Sequence, residues 1–150
     1  ISIAPHKRPQ GTRIVADLSR LRGVRVMVID DSNTIRRSAE IFLVQAGCQV
    51  VLAEDGFDAL AKIADHQPSV IFCDIMMPRL DGYQTCSLIK KNPKFKATPV
   101  IMLSSKDGLF HRARGRMVGS DQYLTKPFTK DSLLQTVASF ASPAETASDS

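Results

Sequence analysis

From Val24 onward the chain alternates between short apolar runs and longer segments whose apolar residues recur at helical spacing. The runs are VRVMVI (Val24 to Ile29), QVVLA (Gln49 to Ala53), SVIF (Ser69 to Phe72), PVIML (Pro99 to Leu103) and a weaker QYLT (Gln122 to Thr125). The first four are rich in Val, Ile and Leu with little strict alternation, as expected for strands covered on both faces. Between them, Ile35, Ala39, Phe42 and Leu43 share one helical face and Leu60, Ile63 and Ala64 another. Gly47 and the pair Asp55-Gly56 punctuate the boundaries. Leu88 and Ile89 belong to a third helix that ends near Asn92-Pro93, and a fourth, less amphipathic segment follows Asp107 and stops near Gly119. Leu133, Leu134, Val137 and Ala138 stripe the last helix, with Thr129 as its N-cap.

Strands that alternate with helices in this way predict an α/β fold: a doubly wound five-stranded parallel sheet with helices on both faces and right-handed crossovers. One such domain over residues 23–140 suits a chain of 150 residues that is 43% hydrophobic. Residues 1–22 read as a basic N-terminal extension. The first residue is Ile1, so that end reads as a fragment start or an expression remnant. Residues 141–150, small and polar, read as a disordered tail.

Charge and composition narrow the function. Residues 1–23 carry Lys7, Arg8, Arg13, Arg20 and Arg22 against Asp17, so all but one of the net +5 charges lie in the extension and the body is near neutral. The extension has no aromatic residue to stack on bases and no helix-turn-helix follows it, so nucleic acid is a disfavoured partner. No apolar run approaches the roughly 18 to 20 residues of a membrane span, and the first residues lack a signal-peptide core, so the expectation is a cytoplasmic protein without membrane insertion. Cys48, Cys73 and Cys86 are odd in number and form no CxxC pair, which argues against a disulfide framework and a zinc site. His6, His66 and His111 have no ligand-spaced partners and read as surface residues.

The polar residues that interrupt the pattern fall at one place. Asp30 and Asp31 close the first strand, Asp74 the third, Ser104 and Ser105 the fourth, and Lys126 follows the fifth. In an open α/β sheet the carboxyl edge is where ligands bind. Three carboxylates gathered there raise one another's pKa and call for a cation. An oxygen-only donor set points to a hard ion such as Mg²⁺, with Lys126 and Ser104 available to phosphoryl oxygens. A carboxylate so placed is able to act as a nucleophile toward phosphorus. Each group has an ordinary alternative: Asp30-Asp31 as a helix cap, Ser104 as a turn residue, Lys126 as an exposed lysine. Their coincidence at four strand ends favours the functional one.

VIDDS, DIMMPRLDG, MLSS and YLTKPF, in that order and spacing, resemble the receiver domain of two-component response regulators over about Val24 to Phe140. The finer wording, DDSNTIRR, DGFDALAKIADHQP and GSDQYLTKPF among it, is similar to stand-alone regulators of type IV pilus twitching-motility systems. The resemblance implies a (βα)5 flavodoxin-like fold with Asp74 as phosphoacceptor. Its implied Mg²⁺ ligands are Asp30, Asp31, Asp74 and the backbone carbonyl of Met76. It also implies Ser104 and Lys126 as phosphoryl-binding residues, a cis Lys126-Pro127 bond, and Ser104 and Tyr123 as a switch pair. The implied partners are a histidine kinase of chemotaxis-like type and a downstream protein of the pilus or signalling machinery.

Three function classes compete. The first is a phosphorylation-controlled interaction module, whose expected output is a protein contact or phosphate buffering because only about ten residues follow Phe140. The second is a Mg²⁺-dependent phosphatase with an aspartyl nucleophile. Such sites place an acid two residues after the nucleophile, where this chain has Met76, so turnover and an activated hydrolytic water are not expected. The third is a DNA-binding regulator acting through the basic extension.

Overall fold

The structure, a computed structural model, describes residues 21–105 and 118–149, with side chains described as far as Ala141. Five parallel strands form one sheet: β1 (Arg25–Ile29), β2 (Gln49–Ala53), β3 (Val70–Asp74), β4 (Val100–Ser104) and β5 (Gln122–Thr125), in the spatial order β2-β1-β3-β4-β5. Four helices accompany it among the described residues: α1 (Asn33–Gln45), α2 (Gly56–His66), α3 (Gly82–Lys91) and α4 (Lys130–Asp149). The expected strands and the doubly wound flavodoxin-like arrangement are therefore present. The helical segment expected between Asp107 and Gly119 lies outside the described residues, as do His6, His111 and residues 1–20 of the basic extension.

Strand side chains alternate between two cores. Val26, Val28, Val70, Phe72, Ile101 and Leu103 pack toward α1 and α4. Met27, Ile29, Ile71, Cys73, Val100 and Met102 pack toward α2 and α3 on the opposite face. Every residue of β3 and β4 is buried, whereas the edge strands β2 and β5 are only partly covered. This two-sided burial explains why the central strands read as unbroken apolar runs. The three cysteines are free and buried, as small core residues. Burial holds the Cys73 thiol well above its ordinary pKa, so it stays protonated and unreactive.

Helix starts follow the capping chemistry of their sequences. Ser32 caps α1 by accepting from the Ile35 amide, Asp55 caps α2 through the Asp58 amide at 2.7 Å, and Thr129 accepts from the Ser132 amide at 3.0 Å. Asp81 and Gln84 form a full capping box on α3. At Gly47 the chain leaves α1 with φ +92, a conformation open to glycine at little cost.

Three details differ from the expected pattern. On α2 the buried face is Ala59 and Ile63, while Ala64 is exposed. Alanines are too small and too frequent on this helix to fix its rotation, and Leu60 only flanks the core. Leu21, assigned above to the extension, is buried at 1% exposure in the α1/α4 core, so packing begins before Gly23. The last helix continues to Asp149 where a disordered tail was expected from Ala141. Extending a helix already anchored by packing needs no new nucleus, and Ala144 and Ala147 favour it, against the cost of Pro143 within it.

Candidate functional site

Strand order reverses at β1. The chain steps from β1 outward to β2, then returns to place β3 on the other side of β1. The crevice at the carboxyl ends of β1 and β3 is the position at which open α/β sheets bind ligands. Asp30 follows the last residue of β1 and Asp74 is the last residue of β3. Both share the strand parity of the residues facing α1 and α4.

Asp30 is fully buried, Asp74 is 2% exposed and Asp31 faces solvent. One carboxylate oxygen from each lies within 4.8 Å of those of the other two. Lys126 reaches across from the end of β5, donating to Asp74 Oδ1 at 2.9 Å and Asp30 Oδ2 at 3.2 Å. The other Asp30 oxygen accepts from the Ser32 amide at 2.8 Å, and the Asp30 carbonyl accepts from Arg36, which also bonds Asn33. The β1–α1 turn is thus held from both its side chain and its backbone. Ser104, buried, lies one residue beyond the residue paired with Asp74 on β4, and its carbonyl accepts from the Lys126 amide at 2.7 Å. The Lys126-Pro127 peptide is cis, as the resemblance implies.

Electrostatically the site carries excess negative charge. Burial pushes Asp74 up to about 6; Lys126 pulls it down, and the neighbouring Asp30 charge pushes it up again. Burial alone would lower the Lys126 ammonium, but its bonds to Asp74 and the Asp30 charge more than offset this and raise it. Three carboxylates against one ammonium, all with oxygen donors, fit a hard divalent cation better than a soft or nitrogen-seeking one.

The remaining candidates sit around this centre. Tyr123 is half-buried on β5 opposite Met102, packs against the α2/α3 core, and has its hydroxyl oxygen shielded from solvent. Met76 is 72% exposed, so its side chain is not packed into the core, while Met77 is buried.

Two glycines that close a helix start carry more of the site than pattern reading suggests. A Cβ on Gly82 would lie 2.2 Å from the Asp74 carbonyl oxygen, so α3 can begin against the end of β3 only with glycine there. A Cβ on Gly56 would meet Thr85 Oγ1 at 2.3 Å, where α2 packs against α3. Each glycine follows a capping aspartate, and the repeated Asp-Gly pair is the sequence signal for both close approaches.

The response regulator receiver domain profile matches residues 26–138. The chain belongs to the response regulator receiver family. Protein PilG of Pseudomonas aeruginosa is 73% identical over 112 residues, 75% of this chain and 83% of that protein, which bears out the finer resemblance. Response regulator MprA of Mycobacterium sp. (strain KMS) is 38% identical over 111 residues, 74% of this chain, which spans about half (47%) of that relative. Among solved structures, the Vibrio cholerae chemotaxis protein CheY4 superposes with a TM-score of 0.77 at 32% identity, covering 79% of this chain and 98% of that one. The receiver domain of the Francisella response regulator 1452 does so with a TM-score of 0.75 at 34% identity, covering 81% of this chain and 99% of that one. Receiver domains are signalling modules, not classical enzymes, and they typically bind Mg²⁺ at an acidic pocket; in this receiver Asp30, Asp31 and Asp74 form an acidic cluster at the carboxyl edge of the sheet. Among the described residues no helix is long and apolar enough to cross a membrane.

Proposed function

We propose that this receiver accepts a phosphoryl group on Asp74 from the phosphohistidine of a chemotaxis-like histidine kinase and thereby changes the surface it offers to a downstream protein. The observation that carries this reading is the position of Asp74: nearly buried at the switch point, raised toward neutrality, and bonded to Lys126. An Asp74 carboxylate oxygen attacks phosphorus, the O–P bond forms as the P–N bond to imidazole breaks, and the leaving nitrogen keeps its electron pair and takes a proton. Such a transfer needs positioning and charge neutralisation more than covalent help. Lys126, now shared by two carboxylates, turns to the incoming phosphoryl oxygens, and Ser104 supplies a hydroxyl donor from the next strand. Asp30, Asp31, Asp74 and the Met76 carbonyl are the groups that would hold Mg²⁺, which when bound offsets the negative charge of acceptor and phosphoryl group together.

Drawing Ser104 toward the phosphoryl group favours an inward Tyr123 and reshapes the surface around β5. The relation to PilG supports a downstream partner within type IV pilus twitching motility. Met76 offers no acid or strong hydrogen-bonding group two residues past the acceptor, which speaks against a phosphatase.

The deciding experiment incubates the protein with Mg²⁺ and acetyl phosphate and separates phosphorylated from free protein by phosphate-affinity electrophoresis. Wild type is expected to be labelled and Asp74→Ala not. Labelling of Asp74→Ala at equal yield, or no labelling of wild type, overturns the assignment.

A further inference from the structure

The segment between β3 and α3 leaves Asp74 and returns to it within eight residues. Its two ends are fixed: the Ile75 amide donates to the Leu103 carbonyl at 3.1 Å, and the Gly82 amide donates back to the Ile75 carbonyl at 2.9 Å. At its apex Arg79 adopts φ +68, a region that side-chain-bearing residues occupy at a cost. The Leu80 amide donates to the Pro78 carbonyl at 2.7 Å across it, the hydrogen bond of a three-residue turn whose positive-φ form is uncommon and strained. Nothing local to the turn calls for an arginine; glycine would take this backbone more easily.

What arginine adds is reach. Its guanidinium donates to Asp55 Oδ2 at 2.7 Å and lies over the Phe57 ring at 5.8 Å from the centroid. Asp55 is already committed through Oδ1 to capping α2, so one carboxylate joins the start of that helix to the apex of the turn. We infer that Arg79, held by Asp55 and Phe57, is a positioning residue that keeps the β3–α3 turn in the shape needed to present the Met76 carbonyl to the cation at the acidic cluster.

This inference rests on the phosphoacceptor assignment above and concerns preorganisation, not the reacting atoms. Without the clamp the turn relaxes from its positive-φ apex, and the cation must reorder it on binding. Cation affinity falls and phosphoryl acceptance slows, while Asp74 itself is unchanged. The Arg79 side chain is 66% exposed and that of Asp55 18%, so the ion pair by itself is worth little to overall stability. The clamp therefore separates from a merely structural role: its loss shows in cation binding more than in melting temperature.

The test titrates Mg²⁺ into wild type, Arg79→Ala, Arg79→Lys, Asp55→Asn and the double variant Asp55→Asn/Arg79→Ala, following backbone amide NMR shifts of residues 74–82. Thermal melting without Mg²⁺ and acetyl phosphate labelling run alongside. Arg79→Ala is expected to raise the Mg²⁺ dissociation constant about three- to tenfold with a melting temperature near that of wild type. Arg79→Lys, which keeps the charge, should recover part of the loss, and the double variant should be no worse than Arg79→Ala alone, the mark of residues acting as one unit. Equal Mg²⁺ affinity in wild type and Arg79→Ala, or losses in the double variant that simply add, overturns the clamp. Labelling keeps the two readings apart: absence of label from wild type defeats the phosphoacceptor assignment, whereas normal labelling of wild type and Arg79→Ala alike defeats only the clamp.

Discussion

Two lysines tie elements together at opposite edges of the same sheet, and their surroundings differ in charge balance. At the amino edge Lys90 donates to the Thr98 carbonyl at 2.6 Å, the Lys96 carbonyl at 3.3 Å and Asp121 Oδ2 at 3.0 Å. Asp121 in turn accepts from the Val100 amide at 2.8 Å. One cation meets one anion, and three ammonium protons meet three acceptors. At the carboxyl edge Lys126 is shared between Asp30 and Asp74, with Asp31 beside them. The first lysine closes a structure; the second leaves negative charge to be met from outside. A charge-balanced lysine therefore marks a staple in this molecule, and an outnumbered one marks an edge left with excess negative charge.

The largest effect expected from breaking this contrast is at the closed edge. Lys90→Ala leaves Asp121 and two carbonyls without their cation and should cost about 1–3 kcal/mol in denaturant unfolding, with labelling at Asp74 unchanged per folded molecule. Unaltered stability would show that the amino-edge network is ornamental. At the open edge the sign reverses. Because the folded-state pKa of Asp74 is raised to about 6 from an ordinary 3.8, the folded protein binds more protons than the unfolded chain between those values, and stability falls as pH rises through them. Asp74→Asn should thus stabilise the cation-free protein by about 1–2 kcal/mol at pH 7, a gain that shrinks as pH falls from about 6 and is gone below about 4. A gain that instead grew on acidification would contradict the raised pKa. Mg²⁺ at tenfold its dissociation constant should add about 1.4 kcal/mol to wild type and clearly less to Asp74→Asn, measured as a shift in melting. The smallest change lies away from both edges: Ala64→Lys on the exposed side of α2 should move stability by no more than about 0.5 kcal/mol.

The parts of this molecule that sequence makes legible are those with one cause. Apolar runs such as Val70 to Cys73 are strands buried on both faces, and the acids, serine and lysine that end such runs can meet only at the carboxyl edge. Features with two partners are harder to read. Whether α2 buries Ala59 or Ala64 depends on how the helix rolls against β1 and β2, and alanine periodicity does not record that. Arg79 looks like any loop arginine until Asp55, distant in sequence, is seen beside it. Arg36 likewise reads as a helix-surface charge, although its guanidinium holds the Asp30 carbonyl. The Gly82 requirement was visible in principle through the second Asp-Gly pair, but its urgency comes from the Asp74 carbonyl, a contact between segments.

The alternation of β3 between two cores also limits which edits to the gene can survive. Removing a single codon between Val70 and Cys73 would preserve the reading frame of translation yet invert the spatial frame of the strand. Either Phe72 and Cys73 trade cores, or the strand slides and Asp74 retreats from the edge where Lys126 waits for it. Substitutions within the strand can be absorbed one side chain at a time, whereas an in-frame deletion there should behave as a null allele, with loop positions the place where length is free to drift.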